Sequence, residues 1–195
     1  MISSINQFYE QGFGRLKYLT SEKINSIHFI KSTFAQGCDI VIATNPLFPR
    51  SATIQRVTWA GLAEFIPQFK CITTYESFHF SKPNPAYYSE ILMQLGWPDK
   101  PAVVIGNDFD FDIKPALSIG LPAFLITAGE SNLNNGDLPS GSFIDAYKWL
   151  ENIENSNLAF DFNIPGMLLA CLKSTPAALD TLTRGLEQKT VEFKK

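Results

Sequence analysis

Histidine is almost absent from this chain: His28 and His79 are the two in 195 residues, and they lie too far apart to suggest a zinc site. Cysteine is scarce as well. Cys38, Cys71 and Cys171 are odd in number, widely spaced and form no CxxC pair, which reads as reduced structural thiols in a cytoplasmic protein. Basic residues are not in excess. With 16 Lys and Arg against 19 Asp and Glu, the net charge is −3, which leaves no electrostatic footprint for nucleic acid. No apolar run approaches the roughly 20 residues that a membrane-crossing helix needs. The N-terminal stretch MISSINQFYEQGFGRLKYLT has neither the basic start nor the apolar core of a signal peptide. Repeats and low-complexity tracts are missing too. What remains is ordinary globular composition, 45% hydrophobic and 18% charged, in a chain long enough for one domain plus an appendage.

Four short apolar runs stand out: DIVIAT (39–44), CITTY (71–75), AVVIG (102–106) and AFLIT (123–127). Two of them carry almost no polar residue, as strands covered on both faces do. Helical patterns separate them, at 51–62, 84–96 and 111–120. This alternation predicts right-handed βαβ units on a parallel sheet, an α/β fold. Gly37, Gly96 and Gly120 fall where a helix should end before the next strand. Residues 3–36 read as helical, 128–142 as a polar loop, and 143–153 as a last amphipathic helix. From Glu154 to Lys195 the pattern changes to two helical stretches broken at Ser174–Pro176, without a strand; this part reads as a linker and helical appendage.

In open parallel sheets, ligands sit beyond the carboxyl ends of the strands. Past the first predicted strand come Thr44 and Asn45. Past the second come Glu76, His79 and Lys82, and past the third Asn107 and three aspartates at every second position, Asp108, Asp110 and Asp112. Carboxylates so crowded need an opposing charge or a capping role. A hydroxyl, an ammonium and a carboxylate cluster together suit a phosphoryl group and Mg²⁺. Hard Mg²⁺ takes one or two carboxylates and keeps its waters. Lysine supplies a compact positive charge. The Thr44 hydroxyl and an adjacent backbone N–H can hold phosphoryl oxygens. Each residue alone has a plainer reading: a helix cap for Asp108 or Asp110, a turn residue for Thr44, and solvated loop residues for Lys82, Glu76 and His79. Asp110 points away from its two neighbours if the stretch is still extended.

Taken together, DIVIATN, SKPNPAYY and VVIGNDFDFDIKPALSIGLPAFLI resemble the second, third and fourth motifs of the haloacid dehalogenase-like (HAD) hydrolases, in family order, over roughly residues 20–153. The resemblance implies a Rossmann-like sheet flanked by helices and a Mg²⁺-dependent phosphatase acting on a small phosphate ester. It implies that Thr44 and Asn45 bind the phosphoryl group, and that Lys82 stabilises both it and the nucleophile. Asp108 would ligate Mg²⁺, and Asp112 would support the metal or Lys82. A receiver-type phospho-acceptor domain uses similar residues, but it places the acidic pair first and the lysine last.

The family's first motif, a strand ending in DxD whose first Asp is the nucleophile, has no counterpart here. Residues 1–36 contain no Asp and no strand-like run, and look like the end of a helical cap. The expected organisation is therefore a cap remnant (1–36), an α/β core lacking its first strand (37–153), and the appendage (154–195). LAFDFNIPG (158–166) makes a poor displaced first motif, because Asn163 stands where the second Asp belongs. The stretch MLLACLKSTPAALDTLTRGLEQKT bears a weak resemblance to the opening of a DinB-like helical bundle. Two functions follow: a phosphatase whose nucleophile lies outside this chain, or a HAD-derived remnant serving as a binding module. Either way, a core without its first strand would expose sheet edges, and is expected to aggregate, self-associate or close the gap with another segment.

Overall fold

The computed structural model describes residues 7–98, 101–128, 131–132 and 138–155. All four predicted strands are present, each shorter than its apolar run. They are β1 (Val41–Ile42), β2 (Cys71–Ile72), β3 (Val104–Gly106) and β4 (Ala123–Ile126). A fifth, β5 (Ser140–Gly141), lies in the stretch expected to be wholly polar loop. It has no apolar run to announce it, and forms because its backbone pairs with β4 at Leu125 and Ile126.

The helices between strands are α1 (Ile24–Ala35), α2 (Arg50–Trp59), α3 (Ala86–Gln94), α4 (Lys114–Ser118) and α5 (Phe143–Asn155). Within residues 7–36, part of the stretch that reads as helical, a π turn (Phe8–Gly12) and a 3₁₀ stretch (Phe13–Leu19) precede α1. One expectation needs correction. The predicted helix 111–120 begins instead as a π turn at Phe109–Ile113, which runs into the short α4. Gly37, Gly96 and Gly120 each adopt positive φ just past a helix, as predicted.

All strand pairs are parallel, but the strands divide into two sheets, β1–β2 and β3–β4–β5. Among the described residues no ladder joins β1 to β3. The alternation along the first strand explains how helices cover both faces. Ile40 and Ile42 pack with α1 and α2 around Phe65, Phe69 and Ile72. Val41 and Ala43 face the opposite cluster, built from Tyr87, Tyr88, Ile91 and Leu92 of α3 with Ile113 and Ala116. Because Val104 and Leu125 pack on that same cluster, one core spans both sheets. The fifth helix returns to α1, with Phe29 and Phe143 ring centroids 5.5 Å apart. The appendage, the 158–166 stretch and the DinB-like segment lie outside the described residues, except for the end of α5.

Candidate functional site

Backbone parity fixes which groups face the boundary between the sheets. Lys70 and Thr73 N–H donate to the carbonyls of Ile40 and Ile42, so Val41 and Ala43 turn their backbone groups away from β2. On the other side, Val104 N–H donates to Pro122 O across to β4, which turns Ile105 away from it. The outward carbonyl of Ala43 is capped by Lys82: its Nζ donates to Ala43 O at 3.0 Å and to Asp112 Oδ1 at 2.6 Å. One ammonium thus links the end of β1 to the segment after β3. Both side chains of this ion pair are 12% exposed.

The crowding of three aspartates resolves into three different partners. Asp112 is buried, and its second oxygen accepts the N–H groups of Asn107 and Asp108, each at 3.1 Å. Asp108 caps the turn that follows it, accepting Phe111 N–H at 2.9 Å on Oδ1, and remains exposed. Asp110 points to solvent beside Lys114 at 3.7 Å. The Asp112 side chain packs so closely on Gly106 that any Cβ there would collide with it. A glycine closing this strand is what lets the carboxylate turn back onto the loop.

Two adjacent tyrosines at the start of α3 complete the link between sheets. Tyr87 Oη donates to Thr44 O at 2.8 Å, and Tyr88 Oη donates to Asp112 O at 3.1 Å. Thr73 Oγ1 also donates to Thr44 O, at 2.5 Å. Burial, with a smaller push from the Asp112 carboxylate, drives both phenols far above the usual tyrosine range. They are permanent neutral donors. The sequence reading missed Tyr87, Tyr88 and Thr73. The one available signal was a pair of tyrosines directly after the KPNP turn, where a helix start would aim them at the strand ends.

The other expected residues fall as follows. No hydrogen bond to the Thr44 hydroxyl is formed among the described residues, and Thr44 borders a cavity of about 230 Å³. Ile42, Thr53, Arg56, Val57, Ala60 and Leu62 complete its lining. Asn45 follows Thr44 in the chain, with its Oδ1 buried and unpartnered among the described residues. Glu76 and His79 do not reach this cluster. Glu76 caps α2 by accepting Arg50 N–H on both oxygens at 2.9 Å, and His79 pairs with Glu90 of α3 at 2.7 Å.

For a divalent cation the donor set is sparse. Among the described residues no three His, Cys, Asp or Glu side chains gather to hold a metal. Asp108 keeps one carboxylate oxygen uncommitted, whereas both oxygens of Asp112 are engaged. That fits Mg²⁺, which uses few protein ligands and many waters, better than a cation needing a full cage.

Residues 79–142 match the family model for HAD-hydrolase-like proteins. Solved structures share the fold at low identity. A HAD phosphatase from Thermococcus onnurineus is 21% identical with TM-score 0.55, the match covering 70% of this chain and 61% of that one. A putative beta-phosphoglucomutase from Thermotoga maritima is 14% identical at TM-score 0.53, covering 71% and 63%. An uncharacterized protein from Listeria monocytogenes serotype 4b is 19% identical at 0.52, covering 69% and 82%. No curated protein matches the chain. The chain thus spans less than two-thirds of the Thermococcus and Thermotoga proteins. Its architecture is HAD-like, and residues 79–142 carry HAD-hydrolase-like sequence on that fold. Among the described residues no helix is long and apolar enough to cross a membrane.

Proposed function

We propose that this chain supplies the phosphoryl-binding and cation-binding parts of a Mg²⁺-assisted HAD-like phosphatase acting on a small phosphate ester. The carboxylate nucleophile comes from a segment that is not among the described residues. The observation that carries the reading is the Lys82 ammonium, fixed between Ala43 O and Asp112 with its third proton uncommitted. That proton, the Thr44 hydroxyl and the Asn45 backbone N–H are the donors for the phosphoryl oxygens. Asp108 offers its free oxygen to the cation, and Asp112 holds Lys82 in place. Bound Mg²⁺ would neutralise charge on the transferring group.

The nucleophile belongs between β1 and β3. The outward backbone groups of Val41 and Ile105 have no ladder between them among the described residues. An apolar strand running parallel to both would satisfy them and bring an Asp at its end to the level of Lys82. Left open, the same edges are where the chain would associate with copies of itself.

The test is hydrolysis of p-nitrophenyl phosphate with Mg²⁺, by residues 1–195 and by the same chain joined through a flexible linker to an apolar strand ending in Asp-x-Asp. We expect no appreciable turnover from the first, because covalent catalysis without its nucleophile loses orders of magnitude in rate. We expect Mg²⁺-dependent turnover from the second, lost in Asp108→Asn. Robust turnover by residues 1–195, abolished by Asp108→Asn, would contradict the missing-nucleophile reading. A well-folded but silent fusion favours the second reading, a HAD-derived binding module, to which the full engagement of Asp112 also lends weight.

A further inference from the structure

Glu90 is a buried carboxylate for which the phosphoryl chemistry above has no use. It sits in the middle of α3, only 5% exposed, on the helix that follows the lysine-bearing loop. Its oxygens accept the backbone N–H of His79 at 3.0 and 3.2 Å and that of Phe80 at 3.1 Å. His79 Nδ1 lies 2.7 Å from Oε1, although the His79 side chain is 86% exposed. One turn further along α3, Gln94 Nε2 donates to Ser77 O at 2.8 Å. The helix therefore grips residues 77–80 with two side chains spaced four apart, on one face.

A neutral side chain could not do this as well. Two successive N–H groups converge on one carboxylate, a charge-assisted arrangement stronger than neutral pairing. A glutamate is costly to bury unless it is so engaged. The gripped segment ends two residues before Lys82. Beyond it, the described backbone bonds of the loop are the local Asn84 N–H to Ser81 O and Tyr87 N–H to Asn84 O turns. The grip on His79 and Phe80 is thus the nearest long-range anchor upstream of the lysine.

We infer that Glu90 is a positioning residue for Lys82: by fixing the backbone of His79 and Phe80 from within α3, it sets where the ammonium meets Ala43 O and Asp112. The inference rests on Lys82 having the phosphoryl role proposed above, but its test reads the placement of the ammonium and not turnover.

That test is competitive acylation of the intact chain with trace acetic anhydride, quantified lysine by lysine by mass spectrometry, well below the unfolding transition. In the parent protein Lys82 should label more slowly than the exposed Lys70 and Lys114. In Glu90→Ala the ratio of Lys82 to Lys70 labelling should rise at least fivefold, with the Lys114 to Lys70 ratio unchanged. Glu90→Gln keeps one carbonyl acceptor and should give an intermediate rise; it also carries the test if the alanine variant does not fold. An unchanged Lys82 ratio in a folded variant, even one with a lowered melting temperature, would overturn the inference and leave Glu90 a helix-to-loop staple only. A phosphatase test that fails while the Lys82 ratio rises would count against the proposed function and leave the positioning role standing.

Discussion

Replacing Asp112 by asparagine keeps the shape of the side chain and removes its charge, so it isolates what the carboxylate contributes. In the native site one oxygen faces Lys82 Nζ at 2.6 Å and the other accepts two backbone N–H groups at 3.1 Å. Asparagine can serve only one side. With its oxygen towards the amides, its NH₂ meets the ammonium donor to donor; flipped, the NH₂ meets two N–H groups. A hydrogen bond to a charged group contributes about 1.5–3 kcal/mol, and stranding one partner of a fully buried pair costs about 3–5 kcal/mol. Because both side chains retain 12% exposure, the lower half of that combined range applies. We expect Asp112→Asn to lower unfolding stability by about 1.5–3 kcal/mol. Lys82→Met should cost less, about 1–2 kcal/mol, because Asp112 then keeps both amide donors. Urea denaturation of the two variants and their double mutant gives the coupling energy directly. A coupling under about 0.5 kcal/mol would place this pair with ordinary surface ion pairs and refute the claim that it joins the two sheets.

Three further expectations follow from the same contacts. Gly106→Ala drives a methyl group into Asp112 and should destabilise by about 1–3 kcal/mol, the usual range for overpacking, read as a lower urea midpoint at unchanged slope. Asp108→Asn should leave stability within about 0.5 kcal/mol, since asparagine caps as well as aspartate, yet should abolish any rise in melting temperature given by millimolar Mg²⁺. An equal response in both proteins would remove Asp108 from the cation site. Burial pushes the Glu90 carboxyl up, but the hydrogen bonds from His79 and Phe80 outweigh it and hold the group below the usual glutamate range. A carboxylate so lowered stabilises the fold fully above about pH 4.3 and loses that contribution as pH falls through its folded value. Urea midpoints at pH 7 and pH 3.5 should therefore differ less in Glu90→Gln than in the parent, and an identical acid loss would refute the point.

The sequence alone located four of the five strands among the described residues, because each is a short apolar, β-rich run and helical patterns separate them. It also singled out Lys82 and Asp112, which meet at 2.6 Å, as residues lying just past parallel strands. Helix ends were legible where glycine takes positive φ at Gly37, Gly96 and Gly120, a requirement local to the backbone. Tertiary structure decided the rest. The β5 strand exists only by pairing with β4, and a Ser-Gly dipeptide carries no local preference strong enough to predict it. Which aspartate pairs, which caps and which stays solvated was set by where Lys82 arrives, and that lysine reaches Asp112 from 30 residues away. The same holds for Tyr87, Tyr88 and Glu90. Their patterns mark a helix face turned inward, but hydrogen bonds to Thr44 O, Asp112 O and the His79–Phe80 backbone depend on how α3 docks between two sheets. Periodicity records burial, which acts residue by residue; partnership between polar groups is a property of the assembled pair.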